Sequence, residues 1–232
     1  MIYLENYELI KNFYESDFKK NLDLFQTKRV VDALYKDPDI FDKNLKNNFY
    51  QILNKNPKIN FSTDGICGWK ILFDINDGKK NWLEQYKIIR GSKYGEFIWP
   101  SDRSNGNQTI NQQRSIYFGD RIDLTIYDIK RYLTNQYTKM SFESQSTKEF
   151  FDNYKNKFKK FCDDYGIKGK FVNEKYEVLD LNIKDISKQE IITEKKIKDF
   201  SWSNRFCVKT KKELMKNYIS NILGICLKNP KN

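Results

Sequence analysis

Hydrophobic spacing changes twice along this chain, and this change constrains the fold more than any other feature. Residues 4–25 and 41–52 place apolar side chains every three or four positions, which predicts amphipathic helices. From Ile59 to Trp99 the apolar runs are short and are separated by predicted turns such as Asp64-Gly65 and Asp77-Gly78, which predicts strands. Helical spacing returns after residue 123. We therefore predict an α+β fold, with helices packed around a small central, mainly antiparallel β-sheet.

Capping and breaker residues give the predicted element boundaries in the second half of the chain. We expect Pro100–Gln113 to form a loop, because it is long and rich in Ser, Asn and Gln. The boundaries of the other predicted elements are given by capping residues, a helix-ending glycine or a β-rich run. They are a helix beginning near Asp123, a helix opened by a Ser146–Glu149 capping box and ended by Gly166, a strand at Tyr176–Leu181, and a last helix from Thr210 with Glu213 in a second capping box.

The composition is that of a folded, polar protein. The chain has 232 residues, of which 39% are hydrophobic and 16% aromatic, and this aromatic content excludes wholesale disorder. No linker-like stretch divides it, so we predict one domain over residues 1–232, with a possible basic subregion at 150–232. Long apolar runs are absent and the first ten residues do not resemble a signal peptide. We therefore expect a cytoplasmic location and no membrane partner.

The chain contains no histidine, which removes several classes of chemistry. Ser-His-Asp catalysis, Cys-His catalysis and His-ligated zinc are excluded. The four cysteines, Cys67, Cys162, Cys207 and Cys226, are far apart in sequence, so we expect buried thiols and no metal site. We predict no cofactor. Mg²⁺ stays open as an alternative, because carboxylates are the available ligands.

Basic residues are concentrated toward the C-terminus. Residues 1–150 hold 23 Lys or Arg and 20 Asp or Glu, a net charge of +3, whereas residues 151–232 hold 19 and 11, a net charge of +8. A basic surface attracts polyphosphates through counterion release, so the C-terminal third is predicted to contact nucleic acid. The alternative is that an AT-rich genome has raised the lysine content without selection for binding.

Residues 97–132 concentrate the unusual motifs. Trp99-Pro100 precedes an Asn-x-x-Arg segment at Asn111–Arg114, and the sequence Asp-Arg-x-Asp-Leu-Thr follows at Asp120–Thr125, with a basic-aromatic pair at Arg131-Tyr132. This block resembles a family of uncharacterised proteins of bacteria and phages. The resemblance implies a shared fold and a shared site, and it brings no activity with it.

The side chains of this block suit a nucleotide or a nucleic acid. Guanidinium groups bind phosphates or carboxylates in a bidentate manner, amides read base edges, and aromatic rings stack on bases. The alternative is a buried Arg–Asp network that pins a long loop to the core. The candidate binding residues are Trp99, Arg103, Asn111, Arg114, Tyr117, Arg121, Lys130 and Arg131.

Whether the protein is an enzyme stays open at this stage. If it is catalytic, we expect phosphodiester cleavage, with Arg114 and Arg121 stabilising charge and Asp120 or Asp123 positioning water or Mg²⁺. Together these observations predict a cytosolic nucleic-acid- or nucleotide-binding protein of a bacterium or mobile element.

Two other functions are compatible with the sequence. The first is a protein-binding inhibitor or accessory factor that acts on a nucleic-acid-processing defence complex through an exposed aromatic patch. The second is an ADP-ribosyltransferase-like enzyme, because Ile89-Arg90-Gly91-Ser92 resembles the strand-borne Arg-Gly of that family. This resemblance would require Glu96 or Glu143 to act on the ribose.

Overall fold

The computed structural model describes residues 61–65, 85, 96–100, 108–202 and 208–228. The predicted helices at 4–25 and 41–52, and the candidate residue Arg103, lie outside these residues. The described elements are two strands, six α-helices and one short 3₁₀ helix. In chain order they are β1 (Phe61–Gly65), β2 (Glu96–Pro100), α1 (Ile110–Phe118), α2 (Ile122–Leu133), α3 (Gln145–Asp152), α4 (Phe158–Asp164), the 3₁₀ helix Ile186–Lys188, α5 (Glu194–Asp199) and α6 (Val208–Leu227).

The two described strands form one antiparallel pair, with Phe61 opposite Pro100 and Gly65 opposite Glu96. The mixture of helices and strands is confirmed, and the described part of the chain is mostly helical. A central sheet is not confirmed, because most of the segment from 59 to 95 lies outside the described residues. The predicted turn at Asp64-Gly65 is wrong: pairing with β2 keeps these residues extended, so the partner strand overrides their local turn preference.

Helix α1 begins inside the segment predicted to be a loop. Thr109 caps it: its side chain accepts from Gln112 N, and the Gln112 side chain accepts from Thr109 N, which completes a capping box. The loop prediction missed this box and is wrong over residues 110–113. Helix α2 begins at Ile122 with Arg121 at the N-cap position, so Asp123 lies in the first turn and is not the cap.

A sharp turn joins α1 to α2. Gly119 and Asp120 have φ values of 57° and 63°, in the left-handed region. A Cβ atom at Gly119 would lie 2.7 Å from the ring of Trp202, so both the backbone conformation and the close packing require glycine there. This turn aims the two helices and thereby sets the directions of Arg114 and Arg121.

The helix predicted from Ser146 to Gly166 is two helices. Ser144, not Ser146, caps α3 by accepting from Thr147 N. The chain leaves the helix after Asp152, turns at Asn156 with φ 59°, and re-enters at α4. Gly166, at φ 60°, follows the end of α4 as predicted.

The predicted strand at Tyr176–Leu181 is present only as isolated bridges. Val178 pairs with Val172, and Leu179 pairs with Ile191. The final helix begins at Val208, two residues before the predicted start at Thr210. A competing contact accounts for the missing continuous strand at Tyr176–Leu181, because Leu181 donates its N–H to the Asp123 side chain on α2 and not to a neighbouring strand.

One hydrophobic cluster connects β2 with all six helices. Trp99 has 0% exposure and stacks on Phe97 and Tyr165, with ring centroids 5.2 and 5.6 Å away. Burial of such aromatic rings is the dominant stabilising contribution in a core of this kind. No helix within the described ranges is both long and apolar enough to span a membrane.

Candidate functional site

Arg114, on α1, lies entirely in the interior with 0% exposure. Its Nη2 donates to the carbonyl oxygen of Asp120 at 2.7 Å, and its Nε donates to Thr125 Oγ1 at 3.4 Å. A buried guanidinium needs such acceptors, because desolvation of its charge is costly. Arg114 therefore ties α1 to the tight turn and to the first turns of α2.

Arg121 lies at the start of α2 and is held by two carboxylates. Its Nε donates to Asp123 Oδ1 at 3.0 Å, and its Nη2 donates to Asp123 Oδ2 at 2.5 Å and to Asp180 Oδ1 at 2.9 Å. The rings of Phe200 and Tyr218 each lie 5.5 Å from its guanidinium carbon. Burial acts to lower the pKa of Arg121, but the charges of Asp123 and Asp180, the hydrogen bonds to Asp123 and the neighbouring Tyr218 together outweigh it, and the pKa is raised.

Asp123 is fully buried and joins α2 to the distant segment that contains Asp180. Besides the two bonds from Arg121, it accepts from Leu124 N and from Leu181 N, each at 2.9 Å. Four hydrogen bonds use the capacity of a carboxylate. Asp123 is thus occupied in positioning Arg121 and the chain at Leu181.

Asp180 bridges Arg121 to Lys196 on α5. Lys196 Nζ donates to Asp180 Oδ2 at 2.8 Å and to Glu190 Oε2 at 3.0 Å. Burial alone would raise the pKa of Asp180, but the hydrogen bond from Lys196 and the charge of Arg121 outweigh it, and the pKa is lowered. Asp180 is therefore ionised at neutral pH and keeps both cations in place.

An open cleft of about 480 Å³ lies beside this network. Its size is within the range of small-molecule sites. Among the described residues, the hydrogen bonds of Arg121 engage Nε and Nη2 and none engages Nη1. The cleft, called the Arg121 cleft below, is lined by Arg121, Leu124, Asp180, Ile192, Lys196, Asp199, Phe200, Ser201 and Leu214.

A second charged group lies farther along α2. Asp128 is fully buried and accepts from Lys139 N at 3.0 Å and Met140 N at 2.8 Å, while Arg131 donates to Glu194 Oε1 at 3.1 Å. Burial raises the pKa of Asp128, although the two backbone donors oppose the shift. This group fixes the chain around Met140 and does not line the Arg121 cleft.

The structure distributes the remaining candidates over several environments. Trp99 is part of the core, Asn111 is half-buried on α1, and Tyr117 is 39% exposed. Lys130 donates from Nζ to the carbonyl of Tyr176 at 3.1 Å. Of the predicted set within the described residues, Arg121 alone lines the cleft.

The sequence did not identify the other residues that line the cleft, of which Asp180, Lys196 and Phe200 carry the chemistry. Asp180 follows an apolar run, and a buried carboxylate needs a cation, which is a usable signal. The partner itself could not be read from the sequence, because Arg121 and Asp180 are 59 positions apart.

The described residues give little support to the two enzymatic alternatives, an ADP-ribosyltransferase and a metal-dependent nuclease. Arg90-Gly91 lies outside the described residues, and Glu143 is exposed, so the ADP-ribosyltransferase resemblance stays a prediction. Within the described ranges, no group of three or more acidic or Cys side chains is arranged to hold a metal ion.

Comparison with known proteins assigns the chain to a family. It belongs to the "Family of unknown function (DUF6994)", which matches residues 43–215 and so includes both the motif block and the Arg121 cleft. The predicted likeness to a family without an assigned activity is confirmed. The motif and the bacterial or phage origin stay predictions. No curated protein and no solved structure matches the chain.

Proposed function

We propose that the protein binds a nucleotide, either free or at the end of a nucleic-acid strand, with the base in the Arg121 cleft. The observation that carries the proposal is the state of Arg121. Asp123 and Asp180 hold its Nε and Nη2, Nη1 makes no hydrogen bond to another described residue, and the side chain lines a cleft of ligand size. Such a group is preorganised, so it binds without losing conformational entropy.

The charge balance of the cleft favours a base over a bare phosphate. Arg121 and Lys196 pair with Asp123 and Asp180, and Asp199 also lines the cleft, so the local charge is not positive. A nucleobase has N–H groups that donate to carboxylates, acceptors that suit Arg121, and a flat apolar face. Phe200, Leu124 and Leu214 supply apolar surface for that face.

Lys196 is the wall residue suited to the sugar-phosphate part. Its side chain is 37% exposed and its Nζ is held by Asp180 and Glu190. A lysine ammonium has three donors, so one remains for a phosphate at the mouth of the cleft. The proposed arrangement therefore has the phosphate at the rim and the base inside.

The test is calorimetric titration of the full chain with each of the four nucleoside monophosphates. We expect saturable binding that weakens about tenfold in Lys196→Gln, as a lost charged hydrogen bond of about 1.4 kcal/mol requires. Lys198→Gln is the matched control, because Lys198 is on the same helix, pairs with Glu194 and does not line the cleft. Equal losses in both variants, or no binding by the unmodified chain, would refute the proposal.

The proposal is for binding and not for cleavage. Asp123 is saturated by four hydrogen bonds from the protein, which supports a positioning role and not one in activating water. Incubation of labelled oligonucleotides with the protein and Mg²⁺ checks this point, and we expect them to stay intact.

A protein-binding role is the second candidate, and one observation favours it. The exposed large hydrophobic residues of the described part are Ile116, Tyr117 and Tyr137, and the first two are adjacent at the end of α1. Exposed apolar neighbours are typical of contact surfaces. Retention of a partner at high salt, lost in Ile116→Ser with nucleotide binding intact, would favour this role.

A further inference from the structure

The turn between α3 and α4, together with the first turn of α4, exposes three lysines that form no ion pair with another described residue. Lys155, Lys157 and Lys159 alternate along five positions, and each is exposed. Residues 153–162 contain no Asp or Glu. These three residues are called the lysine turn below. From their spacing and exposure we infer that the lysine turn binds the phosphate backbone of a single nucleic-acid strand.

The lysine turn is held in a fixed shape. Asn156 N donates to the carbonyl of Leu133 at 2.9 Å, which ties the turn to the end of α2. Lys157 N donates to the carbonyl of Tyr154 at 2.8 Å, and the Tyr154 hydroxyl donates to buried Asp164 at 2.8 Å. The backbone therefore presents its lysines without needing to order itself on binding.

Aromatic rings position two of the three ammonium groups. Lys159 Nζ lies 5.3 Å from the ring centroid of Tyr176, and Lys155 Nζ lies 5.9 Å from that of Tyr132. Lys168 Nζ lies 5.2 Å from the Tyr176 ring as well, but it pairs with Glu174 at 2.8 Å and is therefore not counted in the lysine turn. Cation–π contacts of this kind restrict long side chains that otherwise sample many rotamers.

The Tyr176 ring is in turn held by its backbone. Tyr176 has φ 61°, a conformation that bulky residues rarely adopt. Its carbonyl accepts from Lys130 Nζ at 3.1 Å, and its hydroxyl contacts Asp163. These two contacts hold the Tyr176 ring beside the lysines of α4 and the following loop.

The surroundings of the lysine turn suit a nucleic acid better than a membrane. Binding to a lipid surface needs apolar side chains next to the cations. The exposed large hydrophobic residues of the described part are Ile116, Tyr117 and Tyr137, and none belongs to residues 153–162. A strand instead offers a phosphate at every nucleotide, which a short row of cations matches.

This inference is independent of the Arg121 cleft, because the lysine turn contributes no residue to it. The test measures fluorescence anisotropy of a labelled mixed-sequence single strand, as RNA and as DNA, over a range of salt concentrations. The variant is Lys155→Gln, Lys157→Gln and Lys159→Gln combined. The control combines Lys184→Gln, Lys188→Gln and Lys195→Gln, which are exposed lysines and give the same change in net charge.

We expect the negative slope of log affinity against log salt to become less steep by about 2 in the lysine-turn variant, since each lost phosphate contact removes about 0.7 from its magnitude. The control should keep nearly the full slope, and binding of mononucleotides should be unchanged in both. Equal slopes in the two triple variants would overturn the inference. So would binding to vesicles of phosphatidylserine and phosphatidylcholine in place of the oligonucleotide. Mononucleotide binding by the cleft is tested separately with Lys196→Gln. Its outcome does not affect the comparison of salt slopes between the two triple variants.

Discussion

Arg114 and Arg121 carry the same group in the same sequence block, yet their surroundings differ. Arg114 is 0% exposed and bonds to a carbonyl and a hydroxyl of neighbouring turns. Arg121 is 4% exposed, is held by Asp123 and Asp180, and lines an open cleft. The difference shows that two arginines of one sequence block are used differently: Arg114 is enclosed by the fold, whereas Arg121 is held by carboxylates at the wall of a cleft.

The turn at Gly119 and Asp120 produces this difference. It reverses the chain with two left-handed residues, so Arg114 points back at the turn's own carbonyl. Arg121 comes after the turn, at the N-cap position of α2, where it meets Asp180 from a distant segment. Arg114 thus stabilises the turn at Gly119 and Asp120, and the same turn positions Arg121 beside the cleft.

The largest expected effect is on Arg114. Arg114→Met should lower the free energy of unfolding by about 3 kcal/mol, because it leaves the Asp120 carbonyl and the Thr125 hydroxyl without their charged donor. Urea denaturation followed by circular dichroism measures this loss. A decrease in the free energy of unfolding below about 1 kcal/mol, the usual value for a surface ion pair, would mean that Arg114 does not stabilise the turn at Gly119 and Asp120.

Arg121→Lys should separate stability from binding. The charge is kept, so we expect a loss of about 1–2 kcal/mol in stability, because one ammonium cannot reproduce the fork to Asp123 and the bond to Asp180. Nucleotide binding should fall at least about tenfold. Retained binding with normal affinity in calorimetry would show that the cleft does not use the guanidinium.

The two buried carboxylates should respond oppositely to pH. The pKa of Asp180 is lowered from 3.8 in the folded state, so its contribution to stability is present above that value and is lost as the pH falls through the folded pKa. The pKa of Asp128 is raised from 3.8, so its contribution is present below that value and is lost as the pH rises through the folded pKa.

Unfolding curves from pH 3 to pH 7 for Asp180→Asn and Asp128→Asn test these signs. The advantage of the unmodified protein over Asp180→Asn should shrink toward acid, and its advantage over Asp128→Asn should shrink toward neutral pH. Parallel stability curves for both variants would contradict the assignment. The hydrogen bonds that each Asn variant loses add a constant to its stability difference from the unmodified protein, and this constant does not vary with pH.

The smallest expected effect on stability is that of Lys196→Gln. Lys196 is partly exposed, and exposed ion pairs contribute about 0–1 kcal/mol. We therefore expect the melting temperature to stay almost constant while nucleotide affinity falls. A large drop in melting temperature would place Lys196 with Arg114, among the residues that hold the fold.

Local signals in the sequence predicted part of this picture. The stop at Gly166 was read correctly, because a left-handed glycine is a local requirement. The start of α1 was missed although Thr109 and Gln112 carry a capping box, so the signal was present. The sequence identifies the arginine cluster. It does not show that Arg114 is enclosed while Arg121 lines a cleft, because this difference depends on the directions of two helices and on Asp180. Contacts over 59 positions are set by tertiary packing, which spacing alone does not encode.

The central claim is that Arg121, and not Arg114, meets the ligand. Arginine-selective ¹⁵N NMR measures it most directly, with the Nε signals assigned from Arg121→Lys and Arg114→Lys and followed during titration with nucleoside monophosphates. We expect the Arg121 signal to shift and saturate together with the calorimetric binding curve, while the Arg114 signal stays in place. An Arg121 signal that does not move at saturating nucleotide would contradict the account.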